Sequence, residues 1–228
     1  MIFQIYPLGH LILGIGELFL ISWAIRLWLQ SHSLAMIVLP VILASISYDN
    51  LLLATGILLG EGELLKSLSQ IRFLVHHLFV PFLIVVGVEL AYRTGAVWAN
   101  NFTRSLAWII SLTLGVLDIV NRYIGSDLKP IYFAGVLRYT ASPTNGLPII
   151  TILVTFFVLL IGIGIWIRSE NRWFCLFVGT LVALVGNALP PSQFGTLLGS
   201  LSEFVMTLTL ILTAQFTHPS LTVGVSAK

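Results

Sequence analysis

Residues 48–77 read YDNLLLATGILLGEGELLKSLSQIRFLVHH. One apolar run ends in this stretch, a glycine-rich polar break follows, and a second apolar run begins. The stretch also gathers five charged side chains and two histidines, although only 9% of the chain is charged, against about 25% in soluble domains. With 57% hydrophobic residues and a mean hydropathy of +1.02, the chain is predicted to be an integral membrane protein.

Seven segments of the chain are long and apolar enough to cross a bilayer, which takes about 20 residues of helix. The sequence therefore predicts a single all-α domain, a polytopic bundle of seven transmembrane helices. The predicted spans cover about residues 9–29, 35–58, 71–93, 103–124, 147–168, 172–190 and 198–217. Residues 125–146, the longest break, hold enough apolar side chains to form an interfacial lid over the bundle.

The N-terminal apolar run is predicted to be a retained span. No basic residue precedes it, and no small-residue cleavage site follows it, so it lacks the pattern of a signal peptide. The Lys and Arg residues that flank short loops lie on the same side of the membrane as the C terminus. The cytoplasmic side of a membrane protein usually carries such residues. We therefore expect an outside N terminus and a cytoplasmic C terminus.

The polar residues at membrane depth lie at matching heights. Because up and down helices alternate, the starts of odd helices and the ends of even helices share one side of the membrane. Charged side chains facing lipid are costly, so these groups are expected to face one another inside one half of the bundle. They are Glu17, Asp49, Arg72, His76, His77, Asp118, Asn121, Arg122, Asn187 and Glu203.

Buried carboxylates beside His and Arg suit acid/base chemistry on a ligand with an anionic group. The candidate acid/base residues are Asp49, Glu17, His76 and Glu203. The candidate substrate-binding residues are Tyr48, Asn50, Glu61, Glu63, Arg72, His77, Asp118, Asn121 and Arg122. His76 is preferred over His77 as a proton relay because it shares a helix face with Arg72.

Several of these residues also fit a purely structural role. Asp118 with Arg122 is spaced i,i+4, as is Glu89 with Arg93, and either pair fits a structural ion pair. Arg72, near a helix entrance, fits a side chain that reaches for the interface. Solvated loop acids would account for Glu61 and Glu63, and a packed ring would account for His77.

No motif implies a cofactor. Lys66, Lys129 and Lys228 all lie outside the predicted spans, so none offers a Schiff base in a span, and the single cysteine excludes a cysteine cluster. No HExxH motif occurs. Carboxylates and one or two histidines could form a metal site, but so few histidines do not indicate one, and no metal is predicted. No polybasic run suggests nucleic acid as a partner.

The sequence favours an enzyme that modifies a lipid or isoprenoid, which enters sideways from the bilayer. The predicted partners of the protein are membrane lipids. In size and helix count alone the chain resembles small seven-helix membrane enzymes, such as membrane-bound terpene cyclases or intramembrane lipid hydrolases, and no residue motif carries that likeness. Two further functions stay open: a proton-coupled carrier of a small solute, and a structural or assembly factor of a membrane complex.

Overall fold

The chain folds into a helical bundle with one small β-hairpin. The structure, a computed structural model, describes residues 2–122, 124, 127–141, 148–169, 172–189 and 191–217. Its α-helices are α1 Ile2–Ser31, α2 Leu34–Leu59, α3 Glu63–Phe79, α4 Leu83–Arg93, α5 Asn101–Arg122, α6 Ile149–Arg168, α7 Cys175–Ala188, α8 Pro191–Phe194 and α9 Leu197–Phe216. One 3₁₀ turn, Val80–Phe82, joins α3 to α4 without an intervening loop.

The predicted all-α membrane bundle is confirmed. Within the described residues, six helical segments are long and apolar enough to cross a membrane. They are Ile5–Ser31, Leu34–Leu59, Glu63–Arg93, Asn101–Arg122, Ile149–Arg168 and Leu197–Phe216. The chain is thus a multi-pass integral membrane protein, and the orientation of its termini stays a prediction.

The span predicted at 172–190 is a shorter helix, α7, of 14 residues. Its start is delayed because Trp173 is held outside the helix: its backbone N–H donates to Ser169 Oγ and its indole N–H to Thr213 Oγ1. Pro191 follows the helix end closely and cannot continue the helical hydrogen bonds.

The third span begins earlier than predicted. The sequence predicts a polar break over residues 60–70, whereas α3 starts at Glu63 and only Gly60, Glu61 and Gly62 interrupt the helices. Gly60 has φ 72°, a left-handed conformation that ends α2 and favours glycine. The polar residues that follow form an amphipathic turn whose buried side includes Leu65 and Ser69.

Residues 125–146, predicted as an interfacial lid, contain an antiparallel hairpin of β1 Leu128–Phe133 and β2 Val136–Ala141. Ala134 and Gly135 both have positive φ, as a two-residue hairpin turn of type I′ requires. The hairpin packs on α2 and α3, where Leu128, Leu137 and Tyr139 join Leu52 and Leu65 in a second apolar cluster. Residues 125–126 and 142–147 of the predicted lid and its border lie outside the described residues.

Glu89 lies at the opposite end of the bundle in a satisfied polar cluster. Its carboxylate accepts from Ser33 Oγ at 2.9 Å and pairs with Arg93 at 3.2 Å and Arg104 at 2.8 Å. The i,i+4 pair of Glu89 and Arg93 is therefore present, and a further helix, α5, joins it through Arg104. This arrangement fits a structural role for Glu89.

Candidate functional site

Asp49 of α2 and Arg72 of α3 form a buried ion pair. Arg72 Nη1 lies 2.9 Å from Asp49 Oδ1, and the arginine and aspartate side chains are 4% and 17% exposed. Arg72 Nη2 also donates to the carbonyl oxygen of Tyr139 in β2, at 3.3 Å. Arg72 therefore lies inside the protein rather than reaching for the interface, and it ties the hairpin to the bundle.

A chain of hydrogen bonds starts at Glu17 of α1. Asn50 Nδ2 donates to both Glu17 carboxylate oxygens, at 3.1 and 3.2 Å. Asn50 Oδ1 must then accept, so His10 Nδ1 carries the proton in their 2.8 Å hydrogen bond. With that tautomer, His10 Nε2 accepts from Thr196 Oγ1 at 3.0 Å. Glu17, Asn50 and His10 are all fully buried.

A cavity of about 150 Å³ lies beside the Asp49–Arg72 ion pair and the hydrogen-bond chain that ends at Thr196. Three of the four predicted acid/base residues, Asp49, His76 and Glu203, line it, and Glu17 is connected to it by the hydrogen-bond chain that ends at Thr196. The remaining lining residues come from the start of α6, the end of α7, the loop before α9 and the first turn of α9; they include Pro148, Gly186, Asn187, Gly195, Thr196 and Gly199.

His76 lies at the wall of this cavity with an unused ring nitrogen. Its Nε2 is 3.9 Å from Glu203 Oε1, and its buried Nδ1 has no hydrogen-bond partner among the described residues. Asn187 Nδ2, on the cavity wall, is buried and unpartnered within the same part of the chain. Buried polar atoms are normally satisfied, so these two atoms indicate a place for a polar guest.

His77, Asp118 and Arg122 form a neighbouring cluster outside the cavity. His77 Nδ1 lies 2.6 Å from Asp118 Oδ2, and Arg122 Nε lies 3.4 Å from Asp118 Oδ1. The His77 ring also stacks on Phe73, with centroids 5.7 Å apart. Adjacent positions on α3 thus send His76 to one cluster and His77 to another, as the 100° turn per residue requires.

None of the nine predicted binding residues is among the described residues that line the cavity, and four of them also lie outside the polar clusters around it. Tyr48 donates its hydroxyl proton to the Leu68 carbonyl at 3.0 Å. Glu61 and Glu63 are exposed, Glu63 lies 3.8 Å from Lys66, and Asn121 is also exposed. Glu61 hydrogen bonds to Tyr132 of β1, which raises the pKa of the exposed Tyr132 hydroxyl.

Arg138 of β2 joins the site, although it is not among the predicted residues. It is half-buried, and its charge interacts with Arg72, Asp49 and His10. Burial, and then the like charge of Arg72, lower the pKa of Arg138 to about 10. Within the described ranges, no carboxylate lies within ion-pair distance of Arg138.

Three residues of the site, Arg138 among them, are missed at the sequence level. His10 shares a helix face with Glu17, seven residues away, and this spacing predicts that it faces the inside of the bundle, although it is not among the predicted site residues. Thr196 and Arg138 lie in segments predicted as breaks between spans, where helical phase carries no information. The alternation of buried Leu137 and Tyr139 around Arg138 is the one local signal for a strand there.

The chain matches no protein-family model and no curated protein sequence. Function is therefore argued from the site. Within the described residues, no three His, Cys, Asp or Glu side chains are arranged to hold a metal ion.

Proposed function

We propose that the protein is a membrane enzyme that acts by general acid/base catalysis on the polar end of a lipid or isoprenoid, with His76 taking up a proton from the reacting group and returning it within the same turnover. One observation carries the proposal: His76 lines a partly open cavity between the helices and keeps a buried Nδ1 without a partner among the described residues. Imidazole is the side chain best suited to accept and release a proton near neutral pH.

The surroundings of His76 support this role. Glu203 lies on one side of its ring, at 3.9 Å from Nε2, and Asp49 lines the same cavity. A carboxylate near an imidazole stabilises the imidazolium that forms when the ring accepts a proton. Asp49 is fixed in place by Arg72, so its position does not depend on the ligand.

The position of the cavity favours an amphiphilic substrate. Glu203 follows Leu197, the first residue of α9, by six positions, which places it roughly 9 Å along the helix. The outer faces of the surrounding helices carry exposed apolar side chains such as Leu201 and Val185. A ligand that stays in the bilayer while its polar end enters the bundle fits both features.

Replacing His76 with glutamine tests the proposal, because glutamine keeps polarity and approximate size but cannot take up a proton. The purified protein in phosphatidylcholine vesicles is incubated with phosphatidic acid, oleic acid, geranylgeraniol or geranylgeranyl diphosphate, and products are measured by mass spectrometry. We expect the wild type to convert at least one of them, and His76→Gln to slow that conversion by about 10²–10⁴-fold.

His32→Asn is the matched control for this experiment. His32 is exposed at the end of α1, and its φ of 49° is one that asparagine tolerates. The control should keep the wild-type rate. Conversion of none of the four amphiphiles, or equal rates for His76→Gln and the wild type, would contradict the proposal.

Filling the cavity provides an independent prediction. A Cβ atom added at Gly199 would meet only Asn187 Oδ1, at an ordinary 3.7 Å, so a larger side chain can extend into the cavity. Gly199→Leu should lower turnover by at least about tenfold, because the substrate's polar end is displaced. The melting temperature should not fall, since leucine favours helix more than glycine does. An active Gly199→Leu variant would place the reaction elsewhere.

The carrier and the assembly factor remain predictions with different outcomes. A carrier needs a polar route to the far side, yet the ionisable group described there, Glu89, is already bound by Arg93 and Arg104. A carrier would show pH-dependent solute uptake into vesicles that is altered in His76→Gln. An assembly factor would show neither turnover nor uptake.

A further inference from the structure

We propose that Arg138 and Arg72 together bind an anionic group, a phosphate or carboxylate, and that the β-hairpin exists in part to bring Arg138 to this place. The ligand's identity as an amphiphile rests on the proposed function, whereas the anion site itself does not. Arg138 comes from a segment that helical periodicity leaves as a break, and it enters the site from outside the helical bundle.

The local balance of charge favours an anion. Arg138 directly precedes Tyr139, whose carbonyl oxygen accepts from Arg72 Nη2 at 3.3 Å, and Asp49 is the described carboxylate whose charge acts on Arg138. Asp49 is already bonded to Arg72 at 2.9 Å. Arg138 is therefore a half-buried cation with no counter-ion at ion-pair distance among the described residues. A partly buried charge without a partner is costly, and a bound anion removes that cost.

Two unpartnered buried atoms lie on the same stretch of α3. Arg72 Nε and Ser69 Oγ have no hydrogen-bond partner among the described residues, and their side chains belong to residues that are only 3% and 1% exposed. The spacing of three residues places both on one face of α3. A hydroxyl and a guanidinium N–H are donors suited to an anionic oxygen.

The hairpin holds Arg138 in a fixed position. Its neighbours Leu137 and Tyr139 are 1% and 8% exposed in the apolar cluster between the hairpin, α2 and α3. The Tyr139 hydroxyl accepts from the backbone N–H of Gly62 at 3.1 Å, and its carbonyl oxygen accepts from Arg72. Anchoring on both sides lowers the entropy cost of using Arg138 for binding.

Asp49 connects this anion site to the cavity at His76. The same carboxylate pairs with Arg72 and lines the cavity. An amphiphile whose phosphate or carboxylate contacts Arg138 would therefore place the adjacent atoms near His76. Guanidinium groups bind planar pairs of anionic oxygens in a two-pronged geometry, which favours these two headgroups over a neutral one.

Dodecyl phosphate, laurate, dodecanol and inorganic phosphate are the probes. Each is titrated into the full-length protein in dodecyl maltoside micelles, and affinity is taken from the concentration dependence of the melting temperature. We expect dodecyl phosphate or laurate to bind more tightly than dodecanol. Arg138→Gln should weaken anion binding at least about tenfold, the usual contribution of a charged hydrogen bond, and leave dodecanol unchanged.

Lys129→Gln is the control, because Lys129 is exposed on the same hairpin and the charge change is identical. Arg138→Lys should bind with intermediate affinity, which separates lost charge from a misfolded hairpin. If inorganic phosphate binds as tightly as dodecyl phosphate, the site belongs to soluble anions. If inorganic phosphate binds much more weakly, the site belongs to lipid headgroups. Both outcomes keep the anion site.

Two results would overturn the inference: anion binding that is unchanged in Arg138→Gln, or binding that falls equally in Lys129→Gln. The test also separates this site from the proposed reaction. Binding is measured from the melting temperature and needs no turnover. An anion site without any turnover would therefore leave the inference standing while the proposed function failed.

Discussion

Arg72→Met is expected to destabilise the protein by about 3–5 kcal/mol, the cost of leaving a buried carboxylate without its cation. The reason is the geometry of the pair: Arg72 Nη1 lies 2.9 Å from Asp49 Oδ1, and the arginine side chain is only 4% exposed. The variant also loses the donor to the Tyr139 carbonyl, so the hairpin is loosened. Tryptophan fluorescence of the protein melting in detergent would measure the loss.

The double variant Asp49→Asn with Arg72→Met tests whether the unpaired Asp49 carboxylate causes the loss of stability. Replacing both partners of a buried pair is often close to neutral, so the double variant should recover most of the lost stability. Arg26→Met is the control, because Arg26 is exposed on α1. A double variant no more stable than Arg72→Met would show that packing of the arginine, rather than its charge, matters here.

This pair also limits what Asp49→Asn can reveal. Asparagine at position 49 removes a candidate acid, but it also leaves Arg72 without its carboxylate partner. Lost turnover in that variant would therefore have two explanations. His76→Gln avoids the problem because Nδ1 of His76 has no described partner and Nε2 is 3.9 Å from the carboxylate oxygen of Glu203.

Gly56→Ala should detach the hairpin from α2. A Cβ atom at Gly56 would overlap the backbone carbonyl oxygen of Leu137, which cannot move as a flexible side-chain tip can. Forcing an extra methyl group into such a contact costs typically about 1–3 kcal/mol. Because Arg138 follows Leu137 directly, anion binding should fall together with stability.

Trypsin provides the readout for this second prediction. Arg138 is half-buried in the native hairpin, so cleavage after it should be slow in the wild type and faster in Gly56→Ala. Gly199→Ala is the matched control, since it makes the same change in a helix where the nearest atom is 3.7 Å away. If Gly56→Ala resists trypsin like the control, the close packing of hairpin and α2 is not needed to hold the hairpin in place.

Much of the helical architecture could be predicted because each span is a local property of the chain. The predicted span 35–58 differs from α2, Leu34–Leu59, by one residue at each end. Predictions failed where polar residues suggested breaks. Residues 63–70 are polar enough to look like a loop, yet they form the amphipathic start of α3, because Leu65 and Ser69 face the protein.

The hairpin was missed because a strand of six residues surrounded by spans carries little periodic signal. Its packing depends on Gly56, which is far away in sequence and gives no hint of a strand partner. Arg138 was therefore missed with it. Asp49, His76 and Glu203 lie on helices and line one cavity, whereas none of the nine predicted binding residues is among the described residues that line it.

The sequence by itself determined that this chain spans a membrane, because hydropathy is a local property. Helical phase and the cost of charge facing lipid predicted that most of the membrane-depth ionisable groups face one another, with Glu89 in a second cluster at the other end. The tertiary structure alone decided which groups pair. Asp49 with Arg72, His77 with Asp118, and Glu17 with Asn50 join separate helices, and such contacts depend on distances of a few ångströms between segments distant in the chain. No spacing along the chain encodes those distances.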